Sequence, residues 1–418
     1  MISSHDTSIL RELARRYAAY AALPVQAEKR ALWEALNTGR MKRPLVLFDQ
    51  LPWNELDVDG SLVCQVEDPW WRGVECELRR TLYKWEHLPA DMVLTPYLLL
   101  PGFAGHTGFG LNIIEHTVAT DPTSDVLARS FECQFNSMDD VKKIQTPHLV
   151  FDEKSMAQRA DEANDLFNGI VEWRFSGVVM HLGAWDWISQ WMGVTPVYMA
   201  FYDNPEMLHA MMERLTQGVL SVIDEMNDAK VFDLYSTYCH CSHTFRPGDS
   251  TVGENVNAKG LLGGTSSEAW AFGLAQLFSS VSPDITSEFE VPYMSRIFPK
   301  FRDIYYGCCD KLSDRMDRIA PLPNVRKVSC SPWSDPEPFA AGLPKDRVMS
   351  VKPNPAYFAA PTFRLDAIRA DLASKVEIAR RHGCLQEFIF KDVSTVKYQP
   401  QNLWDTAKMA VDLLSEQA

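Results

Sequence analysis

Asp303-Ile-Tyr-Tyr-Gly307, Val325-Arg-Lys-Val-Ser-Cys330 and Arg347-Val-Met-Ser-Val-Lys352 follow one another at regular intervals near the end of a 418-residue chain. Each run is short, rich in apolar and β-branched residues, and lacks the clean alternation of a half-exposed strand. A parallel sheet buried on both faces requires this kind of run. The same signature recurs at residues 93–100, 177–182, 231–236, 269–274 and 386–390, which makes eight candidate strands. Amphipathic segments separate them. Eight strand–helix alternations predict an α/β chain folded as a closed (β/α)8 TIM barrel over residues 91–418, although a doubly wound open sheet looks similar locally.

The intervening helices carry their own signals. Asn204 stands at an N-cap and Pro205 at the first helical position, where a missing N–H costs nothing. Leu208, Met211, Met212, Leu215, Val219, Val222, Ile223 and Met226 then trace one apolar face at helical spacing. Residues 365–382 read as a helix stopped by Gly383. Residues 1–90 differ from the rest. Helical spacing at 8–22 and 27–37, a short apolar run at 44–48 and the aromatic stretch around Trp70 and Trp71 suggest a mainly helical extension packed on the barrel.

A hydrophobic content of 46% with 23% charged residues allows a large core. The formal net charge of −14 argues against nucleic acid as a partner, because phosphate binding needs clustered Lys and Arg. No apolar run approaches the ~20 residues that cross a bilayer. The start Met1-Ile-Ser-Ser-His-Asp6 lacks the basic-then-apolar layout of a secretory signal, so a cytoplasmic location is expected. Nine Cys, an odd number, fit a reducing compartment better than a disulfide framework.

In a barrel the reactive groups sit where strands end. That rule selects His181 and Asp186 after one strand, Gln276 after another, then Cys308, Cys309 and Asp310, Cys330, Lys352 and Asn354, and Lys391 and Asp392. Cys308 and Cys330 end adjacent candidate strands, so their thiols are expected to converge at one rim as zinc ligands. The bland alternative is that both are small buried hydrophobes. His181, Asp186, Gln276 and Lys352 are the expected catalytic contributors. Cys239-His-Cys-Ser-His243 packs four ligand types into five residues. Neighbours on an extended segment point to opposite sides, so the cluster reads as a surface loop with incidental His and Cys. Trp185, Trp187 and Trp191 suit core packing, with a flat wall for a planar substrate as the rival reading. The glycines of 102–110, 248–250 and 260–265 lack phosphate-cradle spacing and read as turns.

These stretches together resemble a known superfamily. Asp186-Trp-Ile-Ser-Gln-Trp-Met-Gly193, the segment from Ala200 to Thr216, Ser280-Val-Ser-Pro-Asp284 and Glu288-Phe-Glu-Val-Pro-Tyr293 are similar to segments of the uroporphyrinogen decarboxylase superfamily. Tyr305-Tyr-Gly-Cys-Cys-Asp310, Asn324 to Asp335 and Ser350-Val-Lys-Pro-Asn-Pro355 resemble its corrinoid-linked methyltransferase-like branch. The resemblance runs from about residue 90 to the carboxyl end. It implies a barrel that holds zinc at its strand ends and moves a methyl group between a small substrate or thiol and the corrinoid of a separate protein. The branch carries His-x-Cys after a late strand, whereas this chain has Tyr306-Gly307-Cys308. Only Cys308 therefore carries over, with Cys330, Cys309 or a carboxylate such as Glu288 left to complete the shell. Porphyrinogen decarboxylation is not expected. The arginines that hold the substrate's carboxylates are missing beyond Arg43, and Asp49 would repel it.

The expected function is zinc-dependent methyl transfer from a small methylated or methoxylated donor to a corrinoid protein, with a homodimer as an admissible assembly. Two alternatives compete: a metal-independent decarboxylase using Lys352 or His181, and a non-catalytic accessory subunit.

Overall fold

The computed structural model describes residues 2–119, 127–249 and 264–417. Its principal elements are α1 (Ser4–Ala21), α2 (Val25–Asn37), β1 (Leu45–Phe48), α3 (Pro69–His87), β2 (Tyr97–Leu100), α4 (Glu153–Phe167), β3 (Glu172–Phe175), β4 (Met180–Leu182), α5 (Pro205–Ala229), β5 (Trp270–Gly273), β6 (Asp303–Tyr306), β7 (Val325–Cys330), β8 (Val348–Val351), α6 (Leu365–Arg381), β9 (Leu385–Phe390) and α7 (Pro400–Ser415). Among the described residues no helix is long and apolar enough to cross a membrane.

Seven strands form one parallel sheet in the order β1-β9-β8-β7-β6-β5-β4. Its apolar strands are buried along their length, as helices on the outer face require. The helix opened by Pro205 runs to Ala229, and every residue of its expected apolar stripe is buried. Helix α6 ends at Arg381, just before Gly383 in the left-handed region at φ 62°.

The sheet does not close, so the expected continuous barrel is not what the backbone ladder shows. Two local causes stand out. The run at 231–236 forms no strand and makes only isolated bridges among the described residues, Val178 to Phe232 and Val231 to Gly264. Buried Asp233 bends it: its carboxylate accepts the N–H groups of Gly177, Tyr235 and Ser236, which a strand would have spent on a neighbour. Strands β2 and β3 form a separate parallel pair, and the chain then shifts partners, Ser176 N–H still bonding Leu100 while Val178 N–H bonds Val231. Gly102 belongs to this close approach. A Cβ there would lie 2.0 Å from the Ser176 carbonyl oxygen.

The run at 44–48, expected in the extension, supplies β1 of the main sheet, paired in register from Leu45 opposite Glu387 to Phe48 opposite Phe390. The interior of the sheet is polar at one level. Lys327 on β7 and Glu387 on β9 pair at 2.7 Å with both side chains fully buried, and Ser242 and Ser350 bond the same carboxylate.

Candidate functional site

The carboxyl ends of β4, β5, β6, β8 and β9 gather the chemistry. Gly307 follows β6 at φ 85°, where a Cβ would stand 2.8 Å from Leu312, and this turn delivers Cys308 and Cys309. Opposite them β9 leads directly into Lys391 and the left-handed Asp392 (φ 56°). Three ligand atoms, the sulfurs of Cys308 and Cys309 and a carboxylate oxygen of Asp392, lie within 4.8 Å of one another. The two sulfurs are 3.6 Å apart, and Cys309 Sγ is 3.3 Å from Asp392 Oδ2. Zinc–sulfur bonds of about 2.3 Å in a tetrahedron would set donors roughly 3.8 Å apart, so both the spacing and the soft donors fit such an ion.

Two nitrogen donors sit beside the thiols. Lys391 Nζ is 3.0 Å from Cys308 Sγ and 3.0 Å from His240 Nε2. The hydrogen bond from Cys309, followed by those from His240 and the Lys391 charge, holds the Cys308 thiol far below its usual range. Cys309 moves up in exchange, through the bond it gives Cys308, its burial and the nearby Asp392 charge. Burial would lower His240, but the Cys241 and Cys308 sulfurs outweigh it and raise the imidazole to about 9. Asp310 supports the turn by accepting the Cys308 N–H at 2.6 Å, and burial pushes its carboxyl up to about 6.

His240 comes from a segment expected to be an incidental surface loop. It is instead the tip of an antiparallel hairpin, Tyr238–Cys239 against Ser242–His243, in which Cys239, Cys241, Ser242 and His243 are buried. Its left-handed backbone (φ 57°) turns the imidazole onto Phe272, with ring centroids 4.0 Å apart and planes within 4°. Phe272 also meets His181, at 5.1 Å, and His181 Nε2 lies 3.6 Å from Asp186. The expected His181 and Asp186 therefore share this end of the sheet with His240.

Other expectations part from this cluster. Cys330 does not join Cys308. Strand alternation turns Lys327 and Ser329 inward, Ser329 bonding the Cys308 carbonyl, while Val328 and Cys330 enter the apolar cluster under the helices. Sealed there, the Cys330 thiol is pushed up to about 12. Glu288 pairs with His209 at 3.3 Å on an exposed helix face, and Gln276 is exposed. Lys352 is buried, its ammonium bonded to the Tyr305 hydroxyl at 2.5 Å and to Ser350 Oγ at 2.7 Å. Trp185 and Trp191 are core residues, as the packing reading expects. The turns at 248–250 and 260–265 lie partly outside the described residues.

Cys309, His240, Lys391 and Asp392 are thus the residues that strand-end reasoning underweighted. Cys309, Lys391 and Asp392 follow strand ends within three residues, a signal present in the sequence; His240 required the hairpin.

A cavity of about 460 Å³ has His240 in its wall, while Cys308, Cys309, Lys391 and Asp392 are not among its lining residues. A second, of about 730 Å³, lies away from it between α1 and residues 164–173.

No protein-family model and no curated protein matches the chain. Among solved structures it is similar to a methyltransferase from Methanosarcina mazei, with a TM-score of 0.50 and 11% identity over 93% of this chain and 97% of that one. Two chains this different in sequence share an architecture over nearly their whole length.

Proposed function

We propose that the protein is a methyltransferase that moves a methyl group from a small methylated or methoxylated donor to the corrinoid of a partner protein. The observation that carries this reading is the Cys308–Cys309–Asp392 cluster at the strand ends, with the neighbouring His240 lining a cavity, on a fold shared with a methyltransferase. The proposal also reads the open sheet as a distorted (β/α)8 barrel, completed by β2, β3 and the bridges at Val178 and Val231.

Cys308, Cys309 and Asp392 would hold zinc. Bound there, the ion would supply a Lewis acid for the heteroatom that gives up the methyl group. Lys391, whose ammonium donates to Cys308 Sγ and to His240 Nε2, can hand a proton to a heteroatom that leaves as an anion. His181 and Asp186 would orient the donor from the far side of Phe272. Lys352, already tied to Tyr305 and Ser350, serves to fix that inner layer, and this weighs against a decarboxylase built on its ammonium.

The test is methylation of cob(I)alamin by a panel of methyl donors. The proposal expects turnover with at least one donor, and a loss of about a hundredfold or more in Cys308→Ser. Carbon dioxide release after exhaustive chelation, with no methyl transfer, would overturn it in favour of a lyase.

A further inference from the structure

The cavity beside His240 has an unusual charge pattern. Its walls are largely aromatic and apolar, with Tyr17, Tyr97, Tyr235 and Tyr238 among them. Three carboxylate or ammonium side chains line it: Asp49, directly after β1, and Glu77 and Lys84 on α3. Glu77 is largely exposed and faces Arg80 at 3.7 Å, which leaves Asp49 and Lys84 as the charges of opposite sign without an ion pair. Neither the Asp49 carboxylate nor the Lys84 ammonium has a hydrogen bond or ion pair among the described residues, and the two do not pair with each other. Each is only partly exposed. Charges withdrawn from water without a partner are costly, so an arrangement that keeps two of opposite sign apart in one cavity suits a ligand bearing both. Tyrosine faces add attraction for a diffuse onium cation. A volume of about 460 Å³ admits a small molecule.

We propose that this cavity selects a compact zwitterion whose cationic end is a methylated onium group, paired with Asp49, and whose carboxylate is paired with Lys84. This deepens the methyl-transfer reading and rests on it for the acceptor. An onium heteroatom has no lone pair for a Lewis acid until its methyl departs, so a metal would act on the leaving heteroatom only as that bond breaks. The transfer balances simply. The bond between the methyl carbon and the onium heteroatom breaks, its electron pair stays on that heteroatom, and the leaving molecule departs without formal charge there. The lone pair of the acceptor, the cob(I)amide cobalt, forms the new bond to carbon. No proton is consumed, in contrast with a methyl ether.

The experiment is calorimetric titration of the intact protein with trimethylglycine and with 3,3-dimethylbutanoate, which has the same shape and carboxylate but a carbon in place of the nitrogen. Dimethylsulfoniopropionate and tetramethylammonium serve as sulfonium and carboxylate-free arms. The zwitterions should bind at least about tenfold more tightly than 3,3-dimethylbutanoate or tetramethylammonium. Asp49→Asn should remove the preference for trimethylglycine over its carbon isostere, and Lys84→Met the preference over tetramethylammonium. Equal affinity for trimethylglycine and 3,3-dimethylbutanoate in the unaltered protein would overturn the proposal, whatever the variants do. So would variants that fold and bind as the parent does. Charge-dependent binding without methylation of cob(I)alamin would leave the cavity's specificity standing and refute the methyl-transfer reading. Methylation from a methoxyarene with no zwitterion binding would do the reverse.

Discussion

A single strand separates two cysteines that look equivalent in the sequence. Cys308 follows a glycine turn and faces polar groups, whereas Cys330 lies in apolar packing because alternation on β7 sends it to the helix side. Cys330→Ala should therefore cost only about 1 kcal/mol in urea unfolding and leave any bound metal in place. His243 offers a second check at this scale. Its Nδ1 faces the Thr237 carbonyl at 2.9 Å and its Nε2 accepts the Val93 N–H at 3.1 Å, an arrangement that needs the neutral imidazole. Burial lowers its pKa from 6.5 to about 3. The unfolded chain then binds the extra proton first, so this contribution to stability is complete above pH 6.5 and is lost as the pH falls towards 3. Between pH 7 and pH 5 the loss from this residue is about 2 kcal/mol, and His243→Asn should lack that component of the slope in paired urea titrations.

At the scale of elements, the buried Lys327–Glu387 pair links β7 to β9 across β8. Removing one partner strands the other charge, so Lys327→Met should destabilise the protein by about 3–5 kcal/mol. The double variant Lys327→Met with Glu387→Leu should recover most of that in the same unfolding assay. Much of the sheet was legible in the sequence: β6, β7, β8 and β9 stand where their apolar runs predict. Two elements were not. Strand β1 is four residues long and finds its partner more than three hundred residues away, information that local pattern does not hold. The run at 231–236 has strand composition, but Asp233 takes up the backbone donors that a strand needs. The site divides in the same way. Cys308 was visible as a strand-end thiol and Cys309, Lys391 and Asp392 stood beside such positions, whereas His240 reaches them only because a hairpin folds residues 238–243 over Phe272.

For the whole molecule, the architecture says less about chemistry than the rim of the sheet does, since one fold hosts many activities. The central claim is that the strand ends hold a thiolate metal centre. Zinc analysis with X-ray absorption at the zinc edge tests it on purified protein. The prediction is one zinc per chain with two sulfur neighbours at about 2.3 Å, lost in Cys308→Ser and in Cys309→Ser but retained in Cys330→Ser. A protein reconstituted with zinc that shows no sulfur in the first shell, or one whose zinc survives both Cys308→Ser and Cys309→Ser, would contradict it.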